Sequence, residues 1–152
     1  MAEEQISVGE QAPKFFLPDQ EEELVKMEDF SDKRILLSFH PFAWTSVCRN
    51  QMEALEENYE KFTEKNIVPL GVSIDPVPCK KAWAEDMGLE KLAILSDFWP
   101  HGQAAVKYGI FHQEKGFSER ANIVIDEEGK VEYVKVYPLG ELPDFEELLE
   151  EV

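Results

Sequence analysis

"RILLSFHPFAWTSVCRNQMEALEENYEKFTEKN", residues 34–66, decides the fold. From Arg34 to His40 the run is almost continuously apolar, the mark of a strand buried on both faces. Pro41 stops it, because proline has no N–H for a ladder. From Thr45 to Asn66 the period changes. Cys48, Met52, Leu55, Tyr59 and Phe62 step by 4, 3, 4 and 3 and share one helical face, with charges such as Glu53, Glu56, Glu57, Glu60 and Lys61 elsewhere. A strand followed by a crossover helix requires a parallel partner strand and a right-handed connection. "IVPLGVSI" (67–74) supplies that strand.

Working outward, "DPVP" breaks the second strand and "CKKAWAEDMG" (79–88) predicts a short helix ended by Gly88. "LAILSD" (92–97) is a third apolar strand, and "FWPHGQAAVKYGI" a proline turn followed by a helix. "RANIVIDEEGKVEYVKVY" (120–137) predicts two strands joined by a turn at Glu127 to Lys130, with Gly129 taking the awkward backbone angle. "LPDFEELLEEV" closes the chain as an amphipathic helix with Pro143 at its start. Upstream, "APKFFLPDQEEELVKMEDFSDK" suggests short strands and turns. This order predicts one α/β domain over residues 1–152: a central mixed β-sheet flanked by helices, compatible with a thioredoxin-like arrangement.

Composition narrows the function. The formal charge of −17 argues against nucleic acid and anionic membranes, which demand a basic face. No apolar run approaches the roughly 18 residues of a membrane-spanning helix. The start, "MAEEQISVGEQAPKF", has no basic or apolar leader region, so a cytoplasmic location is expected. In that reducing compartment Cys48 and Cys79 are not expected to form a static disulfide. Their spacing with His40, His101 and His112 matches no common metal-ligand pattern, and no cofactor is expected.

Cys48 falls at the carboxyl end of a buried parallel strand, in the first turn of the next helix. Open α/β sheets place ligand sites at that edge. A helix N-terminus offers free N–H groups and partial positive charge, which favour thiolate, the reactive form of cysteine. The overall negative charge opposes it, but distant charges are screened beyond about 8–10 Å. One guanidinium at about 4 Å contributes roughly 4 kcal/mol at an effective dielectric near 20. Of the three arginines, Arg49 points to a neighbouring helix face and Arg34 begins its strand at the far edge. Arg120 opens "RANIVID" on the face opposite Ile123 and Ile125, and is the best candidate. Thr45, three residues before Cys48, is placed to cap the helix with its hydroxyl on the Cys48 N–H, or to contact a substrate. Pro41 stiffens the loop and shields the thiolate from water. Taken singly, each has a plain structural explanation: a core cysteine, a cap, a turn, a surface ion pair.

Together, Pro41, Thr45 and Cys48 form P-x-x-x-T-x-x-C, which resembles the active-site signature of peroxiredoxins. Arg120 in "ERANIVID" resembles that family's distal active-site arginine, and "ILSDFWPHGQAAVKYGIF" resembles the one-cysteine-type branch typified by alkyl hydroperoxide reductase E. Where many relatives carry T-P-V-C-T and a glutamate three residues on, this chain has "TSVCRNQ"; Gln51 accepts a hydrogen bond from an arginine without adding charge. The resemblance implies an antioxidant thiol peroxidase. Cys48 would attack peroxide and become a sulfenic acid, with Thr45 and Arg120 holding the peroxide oxygens. A thioredoxin- or glutaredoxin-like thiol donor would restore it, and the protein would form a homodimer or higher homo-oligomer, packed through the "DFWPHG" region. Cys79 opens the helix after the neighbouring strand, so it is either a resolving cysteine or a bystander. Three rival readings differ in kind. A disulfide oxidoreductase would want a cysteine at position 51, a cysteine–histidine hydrolase would use His101 or His112 as base, and a non-enzymatic interaction protein would need none of these.

Overall fold

The computed structural model describes residues 4–152; the first three residues of the "MAEEQISVGEQAPKF" stretch lie outside the described residues. An antiparallel pair, β1 (Phe16–Pro18) and β2 (Leu24–Lys26), precedes a five-stranded sheet. β3 (Arg34–Phe39) leads through Pro41 and Thr45 into α1 (Ser46–Glu57) and α2 (Tyr59–Glu64). β4 (Ile67–Ser73), α3 (Val77–Met87), β5 (Ala93–Ser96) and α4 (Gln103–Lys107) follow. A small hairpin, β6 (Phe111–His112) and β7 (Phe117–Ser118), then gives way to β8 (Arg120–Ile125), β9 (Val131–Tyr137) and α5 (Phe145–Glu151).

The sheet order is β5-β4-β3-β8-β9. β3 runs parallel to β4, and β4 to β5, while β8 is antiparallel to both β3 and β9. The expected mixed α/β sheet is therefore the observed one. Side-chain alternation splits the core in two. Ile35, Leu37, Phe39, Val72 and Ile123 face α4 and the N-terminal segment. Leu36, Ile94 and Val124 face Met52, Leu55, Phe62, Trp83 and Leu148 from α1, α2, α3 and α5.

Local chemistry moves several boundaries. The expected single helix over 45–66 is two, because Asn58 sends both its backbone and side-chain N–H to the Ala54 carbonyl (3.0 and 2.8 Å) and ends α1. α3 starts two residues before Cys79: Pro78 occupies the first turn, where its missing N–H costs nothing. Pro143 lies outside α5, whose cap is Asp144; its carboxylate accepts from the Glu146 and Glu147 N–H groups. The β6–β7 hairpin was not anticipated, since two-residue strands carry no periodicity.

Gly71 is the close approach that lets α1 lie on the sheet. A Cβ there would stand 2.5 Å from the Met52 Sδ and 3.0 Å from the Ile94 Cγ2. Gly71→Ala is expected to lower stability by about 1–3 kcal/mol through overpacking. Denaturant melts of the two proteins check this; an unchanged midpoint would show that Met52 yields freely.

Candidate active site

β3 and β4 run parallel with Phe39 beside Val72, so their carboxyl ends coincide at one edge of the sheet. The helices that follow both begin there. Thr45 is the capping position of α1 and Pro76 that of α3, which puts Cys48 and Cys79 at the same third helical position. Cys48 is only 1% exposed, under α1, whereas Cys79 is half-buried. Arg120 opens β8 one residue beyond the Ala121–Phe39 pair, on the face shared with Asn122 and Val124.

The Arg120 guanidinium, itself buried, divides its donors. Nε and Nη2 both donate to the Leu139 carbonyl, at 3.0 and 2.6 Å. Nη1 donates to the Cys48 Sγ at 3.3 Å and the Gln51 Oε1 at 2.8 Å. Gln51 in turn donates to the Ser38 hydroxyl (2.8 Å) and the Phe39 carbonyl (3.2 Å). Ser38 donates to Asn122 at 2.7 Å, and Asn122 to the Tyr137 hydroxyl at 3.3 Å. A continuous buried polar chain thus fixes the arginine against the sulfur.

A pocket of about 280 Å³ opens above this contact, lined by Pro41, Phe42, Thr45, Val47, Phe117 and Leu139 with Cys48 and Arg120 in its floor. Phe42 and Phe117 meet edge-on at 4.9 Å. Thr45 corrects one expectation. It stands at the cap position, but its hydroxyl donates to the Phe42 carbonyl (3.2 Å) and makes no cap bond. The cause lies next door: Trp44 has φ 70°, a left-handed turn that carries the Thr45 side chain back over the loop. The N–H groups of the first turn therefore lack a side-chain cap, and the exposed Thr45 borders the pocket.

Beside the Pro41–Thr45 loop lies a second cluster that the sequence does not reveal. The Asp75 carboxylate accepts from the Ala43 N–H (2.8 Å) and the Ser73 hydroxyl (2.5 Å), tying the Pro41–Thr45 loop to the end of β4. The Cys79 Sγ lies 3.9 Å from its other oxygen. Burial, then the Asp75 charge, pushes the Cys79 thiol up. Lys80 is wholly buried, with Nζ 3.1 Å from the His40 Nε2. Burial, opposed by nearby anionic groups, lowers its ammonium to about 8. His40 is held well below its ordinary value by burial and then by Lys80, so its ring is neutral. No helical periodicity marks Lys80 as buried, because a lysine next to Lys81 reads as surface.

His101 and His112 stand away from the pocket, on the Gly116 carbonyl (2.8 Å) and Glu119 (2.9 Å), so neither is a base for Cys48. Arg49 pairs with Glu53 and Asp86, and Arg34 with Glu132. Among the described residues no helix is long and apolar enough to cross a membrane.

The AhpC/TSA family matches residues 8–134. The chain belongs to that family. It is 34% identical to alkyl hydroperoxide reductase E of Mycobacterium tuberculosis over 140 residues, 91% of each chain. It is 33% identical to peroxiredoxin Bcp of Escherichia coli over 136 residues, 85% of each. Among solved structures it superposes on the reduced 2-Cys peroxiredoxin of Plasmodium vivax with a TM-score of 0.87 at 28% identity, covering 95% of this chain and 79% of that one. With AhpC of Enterococcus faecalis the TM-score is 0.86 at 27% identity, over 94% and 88%. It is a peroxiredoxin of the alkyl hydroperoxide reductase E-like branch, with the thioredoxin-like fold, and its activity is thiol-dependent peroxide reduction through a peroxidatic cysteine.

The Lys80 shift carries a stability signature. Its folded value of about 8 lies below the ordinary 10.5, so between those pH values the unfolded chain binds the extra proton. Stability from this group therefore rises with pH across that window, by about 3 kcal/mol in full. In Lys80→Met that rise should vanish, so the stability difference between variant and wild type should change by that order from pH 7.5 to 10.5. Denaturant unfolding at several pH values checks it; parallel pH curves would contradict it.

Proposed function

We propose that Cys48 is the peroxidatic cysteine, and that Pro41, Thr45 and Arg120 form the peroxide site with Gln51 as the brace of Arg120. The 3.3 Å contact between the Arg120 Nη1 and the Cys48 Sγ, in the floor of an apolar pocket, carries this reading. The thiolate attacks the distal oxygen of RO–OH in line. The S–O bond forms as the O–O bond breaks, giving Cys48 sulfenic acid and RO⁻, which takes a proton from water. Arg120 and the uncapped N–H groups of the α1 turn face the negative charge that builds on the leaving oxygen. Thr45 orients the peroxide with its hydroxyl, and Pro41, buried and without an N–H, keeps water from the sulfur. An external thiol, from a thioredoxin- or glutaredoxin-like donor, then condenses with the sulfenic acid to a mixed disulfide with loss of water, and a second thiol frees Cys48.

Cys79 is the alternative resolving thiol. Its place at the start of α3, beside the start of α1, favours this, whereas burial, and then the Asp75 carboxylate, disfavour its thiolate and favour the external donor. The Trp44, Phe98 and Trp99 side chains are exposed, Trp99 by 82%, which supports a homodimer packed through the "DFWPHG" region. Two unpaired cysteines suit a cytoplasmic peroxidase acting as one domain.

With a generic dithiol as donor, Cys48→Ser is expected to abolish peroxide consumption; a variant that still turns over would place the chemistry elsewhere. Arg120→Lys keeps the charge but loses the fork that reaches Leu139, Gln51 and the sulfur at once. Its second-order rate with hydrogen peroxide should fall more than about threefold, equivalent to about 0.7 kcal/mol. Peptide mapping of protein oxidised without added thiol addresses Cys79. A Cys48–Cys79 cross-link within one chain makes Cys79 the resolving residue. Sulfenic or sulfinic acid at Cys48, with normal turnover of Cys79→Ser, makes it a bystander.

A further inference from the structure

The peptide between Phe42 and Ala43 is held from both sides. Its N–H donates to the Asp75 Oδ2 at 2.8 Å, and its carbonyl accepts the Thr45 hydroxyl at 3.2 Å. A trans peptide is a rigid plane whose N–H and C=O point opposite ways, so the direction of one sets the direction of the other. Asp75 is itself fixed at the carboxyl edge of the sheet. The same Oδ2 accepts the Ser73 hydroxyl at 2.5 Å, and the Asp75 carbonyl accepts the Ser96 hydroxyl at 2.6 Å. Ser73 ends β4 and Ser96 ends β5, so two strands anchor one end of this line and the Thr45 hydroxyl is the other.

The loop between β3 and α1 is tied at its two ends, where the His40 N–H donates to the Val72 carbonyl (3.0 Å) and the Thr45 carbonyl accepts from the Arg49 N–H (2.9 Å). Between them, among the described residues, the Asp75 contact is the one hydrogen bond that joins the loop backbone to another segment. Ala43 is buried, so an N–H freed from Asp75 would be left without a partner unless the loop moved. Trp44 follows at φ 70°, a backbone that a residue other than glycine keeps only where its surroundings enforce it. With its proton on the Phe42 carbonyl, the Thr45 oxygen has lone pairs free to accept. Thr45 and Phe42 line the pocket, whereas Asp75 and Ala43 do not.

We propose that Asp75 is a positioning residue for peroxide reduction: through the Phe42–Ala43 peptide it holds the Phe42 carbonyl toward Thr45, so that the Thr45 oxygen is set to accept the O–H of the peroxide. Asp75 touches neither the sulfur nor the substrate. It acts on the substrate side of the site alone, because the Arg120 contact with Cys48 runs through Leu139 and Gln51. What matters is an acceptor in that place and not its charge, and an amide oxygen in the position of Oδ2 would hold the same N–H. The proposal rests on Cys48 and Thr45 forming the peroxide site.

The test compares two reactions of Cys48 in the full chain. One is the second-order rate with hydrogen peroxide. The other is alkylation by iodoacetamide, read at the Cys48 peptide by mass spectrometry, which needs the thiolate but not the peroxide site. In Asp75→Ala the peroxide rate should fall at least about tenfold, as a misplaced contact does, while alkylation changes less than about twofold. Asp75→Asn should stay within about threefold of wild type in both reactions. Equal losses in the two reactions would mean a general loosening, an undiminished peroxide rate would mean no role, and an Asp75→Asn as slow as Asp75→Ala would make charge the cause; each overturns the proposal. Thr45→Val separates it from the reading on which it rests. That variant should be slow by itself, and adding Asp75→Ala to it should cost less than about threefold more, because the two residues act through one contact. A full further loss overturns the role of Asp75, whereas an unimpaired Thr45→Val overturns the assignment of Thr45 and the proposal with it. Where Asp75→Ala does not fold, Asp75→Glu takes its place, keeping the carboxylate but moving it by one methylene. The same split between the two reactions is expected, and an undiminished peroxide rate there overturns the proposal.

Discussion

A buried guanidinium needs every donor matched and a countercharge near it, and the site is arranged around that need at Arg120. The Leu139 carbonyl takes two of its N–H groups, and Gln51 and the Cys48 sulfur share a third nitrogen. No carboxylate pairs with it among the described residues. In a chain of net charge −17 this is a selective arrangement. An acidic partner would neutralise the cation and leave less of it for the sulfur. A glutamine satisfies the geometry and leaves the charge free.

The sheet supplies the precision. The Ser38–Asn122 hydrogen bond lies between directly paired residues of β3 and β8, so strand register itself aligns Gln51's partners beneath α1. Gly71 on the next strand gives Met52 the room that seats α1 against this row. Shifting either strand by one residue would turn Arg120 and Ser38 to the opposite core, where Phe39 and Ile123 now pack.

The two cysteines occupy equivalent places on adjacent helices yet meet different surroundings. Cys48 faces Arg120 in an apolar pocket. Cys79 is half-buried beside the Asp75 carboxylate, and burial, then that charge, disfavours its ionisation. A helix N-terminus alone therefore does not distinguish them; their neighbours do, a buried guanidinium at one sulfur and a carboxylate at the other.

Much of this was legible in the chain. The apolar runs of β3, β4 and β5, the helical step from Cys48 to Phe62 and the glycine turn before β9 determine the mixed α/β sheet, because burial on one or two faces leaves a periodic trace. The spacing of Pro41, Thr45 and Cys48, and the parity of Arg120 against Ile123, placed the thiol and its arginine at one edge. Other features left no trace, because they depend on which atoms meet across distant segments. The Thr45 hydroxyl turns from the helix because Trp44 takes a left-handed backbone. Leu139 holds Arg120 through a carbonyl that every residue possesses. Lys80, beside Lys81 in a polar stretch, resembles a surface lysine in the sequence; only the packing of α3 over His40 and Trp83 makes it a buried cation. Periodicity reports which face is covered, whereas the charge a site feels is decided by three-dimensional neighbours, and so by tertiary structure.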